Sequence, residues 1–353
     1  MRTQAAEVVV ETVAGGLAHP WGLAFLPDGR MLVTERPGRL RAVTPEGRVS
    51  APLQGLDVAI AARGQGGLLD VALDPRFAEN RTLYLSFAED RGEGRSATAV
   101  MRARLNAAGT ALEGAKVIFR QQPTHTTSNH FGSRLVFDRE GNLFVTTGDR
   151  FTLKDQAQNP AIHIGKILRI TPEGRPAPGN PFLQREGVRP EIWSLGHRNL
   201  QSAALNPATG QLWTVEHGAR GGDEVNIPQP GRNYGWPLIS YGVDYSGAKI
   251  GEGTAKPGLE QPIHYWDPSI APSGMAFYTG DKFPAWRGSL LVGALAGELV
   301  SRLSLEGNRI TGEERMLRDL GERIRDVREG PDGYVYLLTD RSNGRILRVK
   351  PAG

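Results

Sequence analysis

Short apolar runs bounded by turn residues recur along this chain, and their spacing predicts strands rather than helices. Trp21-Gly-Leu-Ala-Phe-Leu-Pro-Asp-Gly-Arg-Met-Leu-Val-Thr-Glu35 reads as an apolar strand, an Asp-Gly reversal and a second apolar strand. The same phrase returns from Gly67 to Phe87, Ser133 to Thr147, Gln201 to Val215, Gly274 to Gly293 and Asp326 to Thr339, giving six copies. Asp28-Gly29, Glu140-Gly141-Asn142 and Asp332-Gly333 supply the positive φ that tight reversals require. Further short strands, such as Arg39 to Val43, Val100 to Leu105, Lys166 to Ile170 and Arg345 to Val349, fill the gaps. Two hairpins per copy make a four-stranded antiparallel blade. Six blades set radially make an all-β, six-bladed β-propeller, read here as one domain over residues 1–353. The strand from Glu7 to Val13 precedes the first copy and is placed to pair with the last blade and close the ring. No amphipathic helix competes with this reading, and a solenoid would want capping repeats that the chain lacks.

Hairpin geometry lists one face of such a propeller without any structure. The start of a copy's first strand and the end of its second share a rim. The starts are Pro20-Trp21, Gln65-Gly66, His130-Phe131, Arg198-Asn199, Ser273 and Arg323/Arg325. The ends are Glu35-Arg36, Glu89-Asp90, Asp149-Arg150, Glu216-His217, Leu295 and Asp340-Arg341. This rim is dense in ionisable groups, whereas the opposite one holds turns such as Pro27-Asp28-Gly29 and Pro331-Asp332-Gly333. Converging charges in a concave channel mark the polar rim as the functional face.

Composition narrows the chemistry. The 45 Gly and 24 Pro are spread throughout, as frequent turns demand. The absence of cysteine excludes disulfides, thiolate catalysis and Cys-ligated metal sites. A formal charge of +4 comes from Arg scattered among Asp and Glu, without the dense basic run that nucleic-acid binding wants. No apolar run is long enough to cross a bilayer, and Met1 to Val10 does not have the form of a signal peptide.

Several rim residues form chemically meaningful groups. His130 and Asp149 fall at the start and end of one hairpin, where a carboxylate can fix the imidazole tautomer as a general base requires; a buried structural His–Asp bond fits the pair as well. Arg198 and Asn199, in the next copy, can reach the same cavity. Arg323 and Arg325 flank Ile324 and so share one face of an extended strand. Two guanidinium forks suit carboxylates or phosphates; ion pairs with Asp326 or Glu322 are the structural alternative. The Gly-rich loop from Glu216 to Asn226 has the carbonyls and carboxylates that suit calcium, without EF-hand spacing. Zinc motifs, a Walker loop and a nucleophile elbow are absent.

At these residues the chain resembles the soluble aldose sugar dehydrogenases, quinoproteins related to soluble glucose dehydrogenase. The resemblance runs from His19-Pro-Trp-Gly to Arg323-Ile-Arg-Asp-Val and includes Gly64-Gln-Gly-Gly-Leu-Leu69, Asn129-His-Phe-Gly-Ser-Arg-Leu135, Thr147-Gly-Asp149, Gly196-His-Arg-Asn199, Glu216-His-Gly218, Gly222-Asp-Glu-Val-Asn226 and Asn233-Tyr-Gly-Trp-Pro237. It implies oxidation of an aldose to a lactone, with hydride passed to pyrroloquinoline quinone (PQQ). His130 would be the base, oriented by Asp149, with Gln65 and the catalytic Arg198 on sugar and quinone oxygens. Asn199, Arg323 and Arg325 would hold the cofactor. A calcium ion acting as Lewis acid would take the carbonyls of Gly218 and Ala219, where the family often has Pro in place of Ala219. Trp266 would line the substrate side, and Glu224 and Asp244 would hold a second calcium. The resemblance also implies an electron acceptor and a periplasmic or secreted location. One departure is Ala296, where the family usually has Lys, which removes a cation from the cofactor pocket. Two other readings share the scaffold: a calcium-dependent lactonase using Glu35, Asp149 and Glu216, and a non-catalytic sugar- or protein-binding propeller.

Overall fold

The structure, a computed structural model, describes residues 1–353. Six antiparallel sheets surround a central channel. Blade 1 holds strands Pro20–Phe25, Met31–Glu35 and Arg39–Val43; blade 2 holds Leu68–Leu73, Thr82–Asp90, Ser96–Leu105 and Leu112–Arg120. Blade 3 holds Leu135–Phe137, Leu143–Thr146, Lys166–Ile170 and Ile192–Leu195, and blade 4 Leu200–Leu205, Leu212–Glu216, Asp223–Asn226 and His264–Trp266. Blade 5 holds Pro272–Phe277, Leu290–Ala294, Leu299–Glu306 and Arg309–Met316. Blade 6 holds Ile324–Glu329, Val335–Thr339 and Gly344–Pro351, with Val8–Leu17 paired antiparallel to Gly344–Pro351 in the register Val10↔Val349. The ring is thus fastened by joining the two ends of the chain in one sheet. Helix is confined to a single turn at Phe77–Asn80 and three short 3-10 segments, and no helix is long and apolar enough to cross a membrane.

Blade 1 has three regular strands, and its outer position is filled by an irregular segment. There Ser50 N–H donates to the Ala42 carbonyl at 2.8 Å and Leu53 N–H to Leu40 at 2.8 Å, so the edge is still covered.

Each blade is buried on both faces, which is why second strands such as Met31–Glu35 and Leu143–Thr146 are buried throughout and open on a continuous apolar run rather than alternating. Apolar clusters lie between neighbouring blades. Leu32, Leu40, Leu68, Leu85 and Phe87 join blades 1 and 2. Trp213, Trp266, Met275 and Leu290 join blades 4 and 5. Tyr278, Trp286, Val327 and Leu337 join blades 5 and 6. At ~1.5–3 kcal/mol per buried large aliphatic side chain, these seams supply the cohesion of the ring.

The channel is closed by charge rather than by apolar side chains. Asp70 and Asp326, each 1% exposed, lie 3.5 and 3.4 Å from the buried Arg134 Nη1. Arg328 joins them, at 3.1 Å from Asp70 and 2.8 Å from Asp326. Two inner-strand glycines make room for the acids: a Cβ on Gly22 would fall 2.7 Å from Asp70 Oδ1, and one on Gly274 1.9 Å from Asp326 Oδ1. Arg134 also donates to the carbonyls of Gln201 at 2.6 Å and Arg325 at 3.1 Å, tying blades 3, 4 and 6 together.

Removing one member of a buried charge network leaves the rest uncompensated. Arg134→Ala is therefore expected to cost about 3 kcal/mol or more of stability, read as a lower midpoint in urea unfolding. An unchanged midpoint would show that the two aspartates do not depend on it.

Candidate active site

Above this charged floor, on the rim where inner strands begin and second strands end, lies a cavity of about 270 Å³. Trp21, Leu69 and Phe131 give its apolar walls, and Arg36, Arg323, Arg325 and Asp340 give its charge. The Trp21 ring separates cavity from floor, with the Arg134 guanidinium 4.0 Å from its centroid and that of Arg325 5.7 Å away.

Arg325 is the most constrained of the cavity cations. Its Nη1 donates to Gln201 Oε1 at 2.8 Å and its Nη2 to Asp340 Oδ2 at 3.0 Å, while its Nε is buried with no partner. Burial, together with the nearby Arg134 and Arg36, lowers its pKa despite the pull of Asp340. Asp340 also takes His19 Nδ1 at 2.8 Å, and burial fails to offset Arg325, His19 and Arg36, which hold its carboxyl well below the usual range. Neither Asp326 nor Glu322 is a partner of Arg325: Asp326 belongs to the floor, and Glu322 is held by Arg341 and Arg345. Arg323 is part-exposed and lines the same cavity, so the one-face geometry of the Arg-Ile-Arg strand is realised.

Next to this cavity, at the ends of the hairpin in blade 3, stand His130 and Asp149. Imidazole Nδ1 is 2.6 Å from Asp149 Oδ1, and both side chains are buried. Asp149 Oδ1 also accepts from Phe151 N–H at 2.8 Å, and Oδ2 accepts from Trp236 Nε1 at 2.8 Å. Burial opposes its ionisation, but the bond to His130, the charge of Arg198 and the Phe151 N–H bring the carboxyl below its ordinary value. The His130 imidazole is lowered too, chiefly by burial and by Arg198, against the opposing effect of Asp149. The ring is thus neutral near neutrality, with Nδ1–H committed to Asp149 and Nε2 free to accept a proton. Backbone strain gathers here: His130, Arg150 and Phe151 adopt φ of 54°, 55° and 67°, a left-handed conformation that bulky residues rarely take.

Gln65 and Asn199 join the two parts of the site. Both line the Arg-rich cavity; Gln65 Oε1 accepts from His130 N–H at 2.9 Å, and Asn199 Oδ1 from Gly132 N–H at 3.2 Å. The adjacent Arg198 faces a second cavity of about 120 Å³ lined also by Asp149, Phe151, Ala219, Trp236, Asp244 and Tyr245. Its Nη1 donates to the carbonyls of Gly218 at 2.6 Å and His217 at 3.2 Å. These oxygens therefore already attract a cation.

Two sequence expectations require correction. Trp266 does not line the substrate side: it lies in the outermost strand of blade 4, packed into the seam with blade 5, and its Nε1 donates to Glu313 at 3.1 Å. Glu224 and Asp244 are not brought to one site. Glu224 pairs in register with Glu216 across two strands and shares with it a void of about 10 Å³, whereas Asp244 lines the separate cavity near Arg198. Burial pushes both glutamates up, Glu216 to about 7; the charge of Glu216 raises Glu224 further, whereas the hydrogen bond with Glu224 pulls Glu216 back down. Each acid of the lactonase reading already has a partner: Glu35 is held by Arg39, Arg41 and Ala18 N–H, Asp149 as described, and Glu216 accepts from Arg198 N–H at 3.0 Å.

Trp236, which fixes Asp149, was legible only as part of a family phrase, because the long loop from Ile227 to Ile263 that carries it has no repeat logic. Ala296 is exposed in a turn, while the neighbouring Leu295 lines the cavity.

Comparison with known proteins gives the family of the chain. The glucose/sorbosone dehydrogenase family pattern matches residues 17–348. The aldose sugar dehydrogenase YliI of Escherichia coli K12 is 49% identical over 349 residues, covering 98% of this chain and 94% of that protein. The crystal structure of the soluble aldose sugar dehydrogenase of Escherichia coli in its apo form superposes with a TM-score of 0.95 at 48% identity, covering 98% of this chain and 100% of that one. The PQQ-bound aldose sugar dehydrogenase of Streptomyces coelicolor superposes with a TM-score of 0.80 at 29% identity, covering 99% and 100%. The chain therefore belongs to the glucose/sorbosone dehydrogenase family and is an oxidoreductase on a six-bladed β-propeller.

Proposed function

We propose that this enzyme oxidises aldose sugars at the anomeric carbon to lactones, with PQQ as cofactor and calcium beside it. The observation that carries the reading is the His130–Asp149 dyad, with Nε2 free, set next to a cavity of under-partnered guanidiniums. A cofactor bearing several carboxylates fits that cavity on chemical grounds, since the orphaned Arg325 Nε and the forks of Arg323 want anionic acceptors. The PQQ-bound Streptomyces coelicolor relative supports the same choice. The carbonyls of Gly218 and Ala219 suit a hard cation, because the first already holds a guanidinium. A second calcium would use Glu224 with Glu216 rather than with Asp244.

When bound, the quinone supplies a hydride acceptor and the calcium a Lewis acid. The chain's own residues do the rest. His130 Nε2 takes the proton of the anomeric hydroxyl, and loss of hydride from the same carbon completes the lactone. Asp149, locked by Trp236 and the Phe151 N–H, keeps the proton on Nδ1 and stabilises the imidazolium that forms. Gln65 anchors the His130 backbone, and Arg198 and Asn199, which line the two adjoining cavities, would meet sugar and quinone oxygens. Turnover then needs an external electron acceptor, and a periplasmic or secreted location goes with this reading.

The test is aldose oxidation with a dye acceptor after loading with PQQ and calcium. Wild type is expected to turn over, and His130→Ala and Asp149→Asn to lose about 10²–10⁴-fold; equal rates in wild type and His130→Ala would overturn the assignment of the base. The pH profile adds a signed prediction. Because the imidazole lies below its ordinary 6.5, kcat/KM stays level on descending to neutral pH and falls only as pH drops through a value below 6.5. A decline that begins above neutrality contradicts a neutral buried base.

A further inference from the structure

Charge in the Arg-rich cavity does not balance. Three guanidiniums, Arg36, Arg323 and Arg325, face a single carboxylate, Asp340, and that carboxylate is already shared by Arg325 and His19. Arg36 has no carboxylate partner. Its backbone is nevertheless fixed on both sides: its N–H donates to the His19 carbonyl at 3.1 Å, and its own carbonyl accepts from Leu68 N–H at 3.0 Å. A half-buried guanidinium on a clamped backbone, aimed into a cavity with excess positive charge, is arranged for a ligand rather than for solvent.

We propose that Arg36 is a third cofactor-binding guanidinium, which with Arg323 and Arg325 gives each carboxylate of a tricarboxylate quinone its own cation. This rests on the function proposed above. Arg36 stands on blade 1 and the other two on blade 6, so the three approach the cavity from both sides of one blade junction and can engage carboxylates pointing in different directions. The charge of Arg36 reaches the other groups of the cavity: with Arg325 and His19 it holds the Asp340 carboxyl below its usual range, and with burial and Arg134 it lowers Arg325. Its role is affinity for the cofactor, not proton transfer, since it is remote in the hydrogen-bond network from His130 and Asp149.

The experiment is a titration of cofactor-free protein, read by quenching of its intrinsic tryptophan fluorescence, with PQQ and with its trimethyl ester. Wild type, Arg36→Gln and Arg36→Lys are compared. Arg36→Gln is expected to weaken PQQ binding about tenfold or more, because a charge-assisted hydrogen bond is lost, with Arg36→Lys in between. The ester, having lost its charges, is expected to bind wild type and Arg36→Gln alike, which a merely structural effect of the substitution would not produce. Unchanged PQQ affinity in both variants, or an equal loss with quinone and ester, overturns the role of Arg36. Failure of wild type to bind PQQ overturns instead the cofactor reading on which it rests.

Discussion

The structure depends on four charged side chains that meet where a ring of six blades would otherwise leave a hole. Asp70, Arg134, Asp326 and Arg328 carry two charges of each sign, so the plug is neutral, with the first three almost entirely withdrawn from water and Arg328 part-exposed. A buried network of this kind is a poor source of net stability but a strict one of geometry, because each member has partners on different blades. Arg134 illustrates this: it reaches Asp70 on blade 2, Asp326 on blade 6 and the Gln201 carbonyl on blade 4, while its guanidinium lies against Trp21 of blade 1. Trp21 in turn is the lower wall of the cavity.

Everything above the plug is electrostatically unbalanced by comparison. The cavity keeps an excess of positive charge on Arg36, Arg323 and Arg325, and the neighbouring loop turns the carbonyls of His217 and Gly218 toward a guanidinium. Between these regions stands one imidazole that burial keeps neutral and that a locked carboxylate orients. The unbalanced guanidiniums, the carbonyl cluster and the neutral imidazole therefore occupy one rim. That arrangement matches a reaction in which a hydride and a proton leave the same substrate carbon and its hydroxyl for different destinations. The strained φ values of His130, Arg150 and Phe151 fall within the same few residues, as expected where placement of a reacting group outweighs local comfort.

Much of this was readable from sequence because a propeller repeats its register. Once the six hairpins are aligned, the start of one strand and the end of the next must share a rim. That rule alone brought Trp21, Arg36, Gln65, Asn199, Arg323, Arg325 and Asp340 together, and all of them line the cavity. What it missed lies off the repeat. Trp236 and Tyr245 come from the long connection inside blade 4, whose path is set by contacts rather than by periodicity. Trp266 and the Glu224–Asp244 pair were misplaced by resemblance because a phrase match does not say which side of a strand faces the channel. The third strand of blade 4 turns Glu224 toward Glu216, and its fourth strand sends Trp266 into the seam with blade 5. The plug is not given by that rule, because Asp70, Asp326 and Arg328 lie within inner strands and Arg134 just before one, in phrases dominated by apolar positions.

The central claim is that base and cofactor cavity form one redox site, and a single-turnover measurement without any dye tests it most directly. Protein loaded with PQQ and calcium is mixed with an aldose, and the quinone spectrum and the lactone are followed together. The account predicts conversion of the bound quinone to its reduced spectrum with one equivalent of lactone formed per equivalent of quinone, and conversion slowed about 10²–10⁴-fold in His130→Ala. An oxidised spectrum that persists in wild type with quinone bound and aldose in excess would contradict it.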